Sequence, residues 1–379
     1  MTISTIVFLT SSHSAFDDRI FYQQAISLCK LYNVIIVSST ENLNETKDNI
    51  TILGSSEFNQ DKKKKINFFI ESLITYDPQL IICSEPIAIY AANKYKKSNH
   101  KKVKIIFDVT EWYPSKSNLE SFPFFKKNVL FFKLLLFNIF TSSMCDGFIF
   151  GEFYKSLPHK FIFPFKKSEI ISYYPDLNYI QYAESEFTAN KICLGFTGTI
   201  STEKGINNFF NVAKLLKHKK PNISIKLKII GWVLNISEQN KFETLCFEAR
   251  KNNIEVQLLN KQSFEEFSEK LQDVDILFDL RELDIENSYC LPIKIFYYAA
   301  CGKPVIYSNL KAISREIKVS DFGYLVNPTD YDIISDYVVD YLDNPHLYYN
   351  HSIAARKLAE TVYNWQSIKP LFLQFINKI

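Results

Sequence analysis

Short apolar runs alternate with amphipathic stretches along the whole chain. Five runs in the first half, TIVFLT, NVIIVSS, LIICSE, VKIIFDV and GFIF, are continuous rather than alternating. That is the pattern of strands buried on both faces of a parallel sheet. Between them apolar spacing predicts helices, over 17–31 and 66–76 among others. A second series follows, ICLGFTG, IKLKIIG, IEVQLL, DILFDL, PVIYS and FGYLV, again separated by helical stretches. Such alternation implies βαβ units with right-handed crossovers. The polar stretch 173–190, with Pro175 and no strong periodicity, divides the two series. The expected fold class is α/β: two doubly wound Rossmann-like domains facing a cleft, over 1–175 and 190–360, then a helix within 361–379.

Length and composition narrow this picture. A chain of 379 residues exceeds what one core usually supports. A formal net charge of +3, from 44 basic and 41 acidic residues, points to no nucleic-acid partner. Seven cysteines without a CxxC pair read as reduced, buried thiols of a cytosolic protein. The excess of Phe, Ile, Lys and Asn over glycine is what an AT-rich genome encodes. The first residues lack the features of a signal peptide. The longest apolar run, 128–140, contains Lys133 and falls short of the roughly 20 residues a membrane span needs. The surrounding Phe/Lys region, 122–167, exceeds one helix face in apolar residues, with lysines 126, 127, 133, 155, 160, 166 and 167 interleaved. It reads either as a helix buried in the first domain or as a surface helix docking on anionic membrane.

In open α/β sheets ligands bind beyond the carboxyl ends of the strands. No GxGxxG and no GxxxxGK[ST] occurs there, which argues against a dinucleotide dehydrogenase and a P-loop enzyme. The first strand runs into SSHSAFDDRIF, with His13, Asp17 and Arg19 around a helix start. Asp17 or Asp18 suits the N-cap. Arg19 in a first helical turn opposes the helix dipole and calls for a partner: a ligand phosphate, Asp17 or Glu111. Thr110, Glu111, Trp112, Tyr113 and Pro114 follow VKIIFDV. An aromatic-flanked carboxylate there suits a sugar, and equally suits packing and helix capping.

In the second half a Gly198–Thr199 turn precedes a helix expected from Thr202–Glu203, with Lys204 beside its N-terminus, an arrangement that binds phosphate. Gly231 closes KIIG and allows close backbone approach. In ENSYCLPIKIFYYAACGKPVIYSN, Pro292 fits a first helical turn, Ala299, Ala300 and Cys301 permit tight packing, Gly302 ends the helix and Pro304 starts a strand. Lys294 near that helix N-terminus faces the cleft or plain solvent. Asp273 and Asp275 spell Asp-x-Asp but precede their strand, so they read as a helix end and a strand start, and no metal site is expected.

Four segments together resemble the GT-B fold nucleotide-sugar glycosyltransferases of glycosyltransferase family 4, over about residues 3–378: HSAFDDRIFYQQAISL, IIFDVTEWYP, GFTGTISTEKGI and LPIKIFYYAACGKPVIYS. The last is the most specific. The resemblance implies sugar transfer from a nucleoside diphosphate sugar, usually with retention, the donor lying mainly on the second domain and the final helix crossing back to the first. It assigns the donor to Gly198, Thr199, Lys204, Gly231, Glu286, Asn287, Pro292, Lys294 and Tyr297. The acceptor side takes His13, Asp17, Arg19, Thr110, Glu111 and Trp112. Lys204, Lys294 and Glu111 are the expected catalytic groups, with no cofactor and an optional metal. The chain departs from the family where carboxylates are replaced by Tyr289 and Tyr297, where a histidine is replaced by Thr110, and where the arginine partnering Lys204 is missing. Glu286 and Asn287 stand near enough to substitute.

The expected function is therefore a glycosyltransferase acting on a lipid-linked oligosaccharide acceptor in polysaccharide, O-antigen or capsule synthesis. Its expected location is the cytoplasm, at the inner face of the membrane if the Phe/Lys region docks there. A non-catalytic GT-B-like binding subunit and a sugar-nucleotide epimerase are the alternatives.

Overall fold

A computed structural model describes residues 4–58, 60–98, 102–115, 119, 122–183 and 186–379. The chain divides into two compact units, Met1–Tyr173 with Ile368–Ile379, and Tyr174–Ser367. The first holds a sheet of order β3-β4-β2-β1-β5-β6-β7-β8. Its strands are β1 (Thr5–Thr10), β2 (Asn33–Ser38), β3 (Leu43–Lys47), β4 (Ile50–Gly54), β5 (Leu80–Cys83), β6 (Lys104–Val109), β7 (Gly147–Phe150) and β8 (Lys167–Ile170). Only β3 runs antiparallel. The second unit carries an all-parallel sheet of order β11-β10-β9-β12-β13-β14. It comprises β9 (Lys191–Ile200), β10 (Ser224–Val233), β11 (Ile254–Leu259), β12 (Ile276–Asp279), β13 (Val305–Ser308) and β14 (Gly323–Val326). Each is a Rossmann-like α/β unit with its own apolar core.

All eleven apolar runs became strands. β3, β4 and β8 were not foreseen. β3 and β8 form the two edges of the first sheet, and LNETK and KSEI carry too few apolar residues for a buried-strand pattern to show. A run of four lysines, 62–65, is capped by Asp61, which accepts from the backbone N–H groups of Lys63 and Lys64. Its helix runs over Lys62–Tyr76.

Helix α1 covers 18–28, opening as π-helix and continuing as α-helix. Asp17 is its N-cap and accepts from the N–H groups of Arg19 and Ile20. The partner of Arg19 is none of the three expected. Its side chain is fully buried and makes a two-pronged pair with Asp108 at the end of β6, Nε to Oδ2 and Nη2 to Oδ1, both 2.7 Å. Nη1 donates to the Ile171 carbonyl at 2.8 Å, and the guanidinium lies 4.1 Å from the centre of the Tyr173 ring. Asp108 also accepts from Gln24. Arg19 is thus a tie between α1, β6 and the strand end at Ile171. A guanidinium so enclosed has no face left for an acceptor.

Arg19→Ala strands the Asp108 carboxylate in the core, and its expected cost is about 3–5 kcal/mol of unfolding free energy. Urea denaturation of the variant against the parent checks this.

Candidate functional site

Each unit gathers polar side chains at the carboxyl ends of its strands. In the first unit a cavity of about 740 Å³ is lined by residues including Ser11, His13, Glu85, Thr110, Glu111, Trp112 and, on its apolar side, Phe107, Leu134 and Phe137. His13 is its electrostatic centre. Nδ1 lies 3.5 Å from Asp17, Nε2 3.8 Å from Glu85 and 3.4 Å from the Thr110 hydroxyl. Burial alone would depress the imidazole; the hydrogen bond and charge of Asp17, then the charges of Glu85 and Glu111, prevail and raise it from 6.5 to about 9. At neutral pH this residue is an imidazolium. Glu85 is fixed by the N–H groups of Ser11 and Ser12 and the hydroxyl of Thr10. The Trp112 indole N–H is buried and makes no hydrogen bond among the described residues. His13, Thr110, Glu111 and Trp112 therefore share one cavity, with Asp17 behind them, while Arg19 does not reach it.

In the second unit the centre is the loop after β9. The helix foreseen from Thr202 begins later, as the helix Ile206–Lys219. Gly205 sets this start: its φ is +87°, and a Cβ there would overlap the carbonyl of Leu280, the residue after β12. Thr202 cannot offer its N–H to a phosphate, because that N–H and its hydroxyl already donate to Glu238, at 2.7 and 3.0 Å. Lys204 remains. Its Nζ lies 3.0 Å from Glu203 and 3.4 Å from the Asn287 carbonyl oxygen. Asn287 is buried, anchored by its N–H to Asp284, and its amide nitrogen contacts Glu203. Glu286 is half-buried in the same helical turn, Ile285–Ser288.

Lys294 opens the helix Lys294–Ala300 just beyond the buried Pro292. It donates to the Thr197 carbonyl at 2.6 Å and lies 3.3 Å from Asp279, the last residue of β12. Burial pushes this ammonium below its ordinary value, with Asp279 pulling the other way and Arg281 adding to the fall. A quarter of the side chain stays exposed, beside Gly198, where a Cβ would come within 3.3 Å of Nζ. Gly198 and the half-buried Thr199 thus border the Lys294 ammonium on the β9 side. Gly231 also serves the sheet: a Cβ on it would overlap the Gly198 carbonyl of β9.

The two tyrosines that replace the family's carboxylates make contacts of their own. Tyr297 is 5% exposed and packs edge-on against Phe264 and Phe267. Tyr289 receives Lys311 at its hydroxyl, 2.9 Å. One residue that sequence reasoning passed over sits in the middle of the cluster: Arg281, paired with Asp279. Its only signal was a charged residue two positions after an apolar strand. Asp273 pairs with Lys226 and Lys228, and Asp275 accepts from the Cys193 N–H, at the amino end of β12.

Residues 181–358 match the model of the family described as glycosyl transferases group 1. In three dimensions nearly all of the chain matches solved structures. Sucrose-phosphate synthase from Thermosynechococcus elongatus shares a TM-score of 0.74 at 12% identity, over 99% of this chain and 98% of that one. HepE from Anabaena, solved with UDP and glucose, gives 0.69 at 12% identity over 99% of both. A glycosyltransferase from Rickettsia africae gives 0.68 at 13%, over 100% and 99%. The fold is that of the GT-B glycosyltransferases. No curated protein matches the chain in sequence. The matched segment contains Lys204, Asn287, Lys294 and Asp279 together, so the family likeness and the cation cluster coincide in one half of this GT-B chain.

The His13 pKa lies above its unfolded value, so its contribution to stability is complete below about pH 6.5 and is lost as pH rises through about 9. The expected observation is a falling denaturation midpoint between those limits, flattened in His13→Gln and followed by urea titration at stepped pH.

Proposed function

We propose that the protein is a glycosyltransferase taking its sugar from a nucleoside diphosphate sugar. The observation that carries this is that Lys294, beside Gly198 of β9, and Lys204, in the loop after β9, come together inside the segment that matches the glycosyl transferases group 1 family. As the bond between the anomeric carbon and the diphosphate oxygen breaks, negative charge grows on the leaving group. Preorganised ammonium groups stabilise that charge where it develops. An acceptor hydroxyl oxygen bonds to the anomeric carbon, its proton leaves with the departing phosphate, and a nucleoside diphosphate is released. We take the transfer to retain configuration and to need no metal, in line with the family resemblance. The first-unit cavity suits the acceptor: Glu111 and the His13 imidazolium provide an acceptor and a donor for sugar hydroxyls, and Trp112 a flat face and a spare N–H.

Calorimetric titration with UDP and GDP, followed by assay of donor turnover, tests the reading. Lys294→Ala removes a charge-assisted bond to phosphate, and its expected effect is about 10- to 100-fold weaker nucleotide binding. Nucleotide binding without turnover would favour the second reading, a non-catalytic GT-B subunit. The observation behind it is that the position where the family carries a carboxylate is a tyrosine packed among phenylalanines.

The acceptor we propose is the head of a lipid-linked glycan, as in surface polysaccharide, O-antigen or capsule synthesis, reached at the inner face of an anionic membrane. No helix among the described residues is long and apolar enough to cross one. Yet the helix Phe124–Ser143 buries only Asn138, Thr141 and Ser142. Phe125 (84% exposed), Val129, Phe132, Leu136 and Phe140 form one stripe, and Phe165 (99%) stands nearby in sequence after the next helix, Phe153–Ile162. Lys155 is buried against Glu152, and Lys166 caps the carbonyls of Ser142 and Ser143. Lys126, Lys127, Lys133 and Lys160 remain to meet lipid phosphates. Lys133 and Phe137 line the acceptor cavity one helical turn from the stripe, which would bring a lipid-borne head to it. The protein is expected to sediment with vesicles containing phosphatidylglycerol, and a Phe125→Glu, Phe132→Glu double variant to stay in the supernatant with its nucleotide binding intact.

A further inference from the structure

The cluster at the end of β12 holds more positive charge than its carboxylates neutralise. Asp279 is 1% exposed and is the shared counter-ion of two cations. Arg281 grips it with Nε to Oδ1 at 2.7 Å and Nη2 to Oδ2 at 2.5 Å. Lys294 approaches that same Oδ2 at 3.3 Å. Lys204 is near enough for its charge to bear on Lys294, and Glu203 pairs with Lys204. Arg281 and Lys294 therefore share Asp279, two positive charges against one.

The guanidinium itself is half used. Its Nε–Nη2 edge is bound to Asp279, whereas Nη1 donates to nothing among the described residues. Nη1 is not fully buried, so it stays open to water or to a ligand. Lys294 has the same form, with two of its directions taken by Thr197 and Asp279 and the rest of the ammonium open. An ammonium carries three donors and a guanidinium five, so each group has donors to spare. With 7% of the side chain exposed, that donor pair is left to water until an anion displaces it. The planar edge of arginine matches two oxygens of one phosphoryl group.

We propose that Arg281 is a phosphate-binding residue of the donor site, its free edge holding the diphosphate alongside Lys294, and that Asp279 is the positioning residue that aims both. This rests on the nucleotide-sugar reading of the same site. It also answers the missing arginine of the β9 loop: the second cation comes from the end of β12. Arg281 then separates ligands by their phosphates. A nucleoside, which has none, is indifferent to it, while a diphosphate depends on it.

The test compares UDP with uridine, GDP with guanosine, and inorganic pyrophosphate, on the parent protein, Arg281→Lys and Arg281→Met. Calorimetry gives the affinities and thermal melting confirms that each variant is folded. The expected result is a diphosphate affinity at least tenfold weaker in both variants, with nucleoside affinity unchanged. Pyrophosphate should raise the melting temperature of the parent only. A variant that retains the parent's ratio of diphosphate to nucleoside affinity overturns the proposal, as does an equal loss for both ligands, which marks a purely structural arginine. If Arg281→Met does not fold, Arg281→Lys decides by the same ratio. A parent protein that binds no nucleotide but is stabilised by pyrophosphate through Arg281 refutes the donor reading and leaves the phosphate site standing. A parent that responds to neither overturns both.

Discussion

A carboxylate removed from water must be neutralised where it stands, and Asp279 is the point on which the second unit's chemistry turns. Burial would raise its pKa, but Arg281 and then Lys294 hold it well below the usual carboxylate range, so it stays charged. That fixed charge orients two long basic side chains. It also stiffens the junction between β12 and the helix Lys294–Ala300. The loop after β9 closes onto the same strand end, since Gly205 packs under the Leu280 carbonyl and the Glu282 N–H donates to the Glu203 carbonyl. Lys204 is thereby delivered to a place that β12 defines.

The first unit repeats the device with the opposite purpose. Arg19 and Asp108 also form a two-pronged buried pair at a strand end, but there every nitrogen of the guanidinium is used. Such a pair holds elements in register and binds nothing. Comparing the two arginines shows why a buried arginine–aspartate pair alone says little about function: a donor left over is what separates a ligand group from a brace.

The alternation of apolar runs carried the fold, because parallel strands shielded on both faces leave an unbroken apolar signature. The edge strands LNETK and KSEI escaped since an edge needs no such run. Lys294 and Lys204 were legible because the turns around them are enforced locally, by Pro292 and Gly302 in one case and Gly205 in the other. Arg19 was legible as a residue needing a partner, yet Asp108 lies 89 positions away and local spacing cannot reveal it. Gly231 was read for a ligand's approach, and β9 also comes close to it. Arg281 was overlooked because only the pairing of β12 with its neighbours, and the return of the chain at Lys294, give it company.

The chain holds few glycines, nine in 379 residues. At every one of them an added methyl would meet another atom at 3.3 Å or nearer. Each glycine therefore marks a spot where a neighbouring atom would have to give way to admit a methyl group, so the path of the backbone there is set by what the chain leaves out.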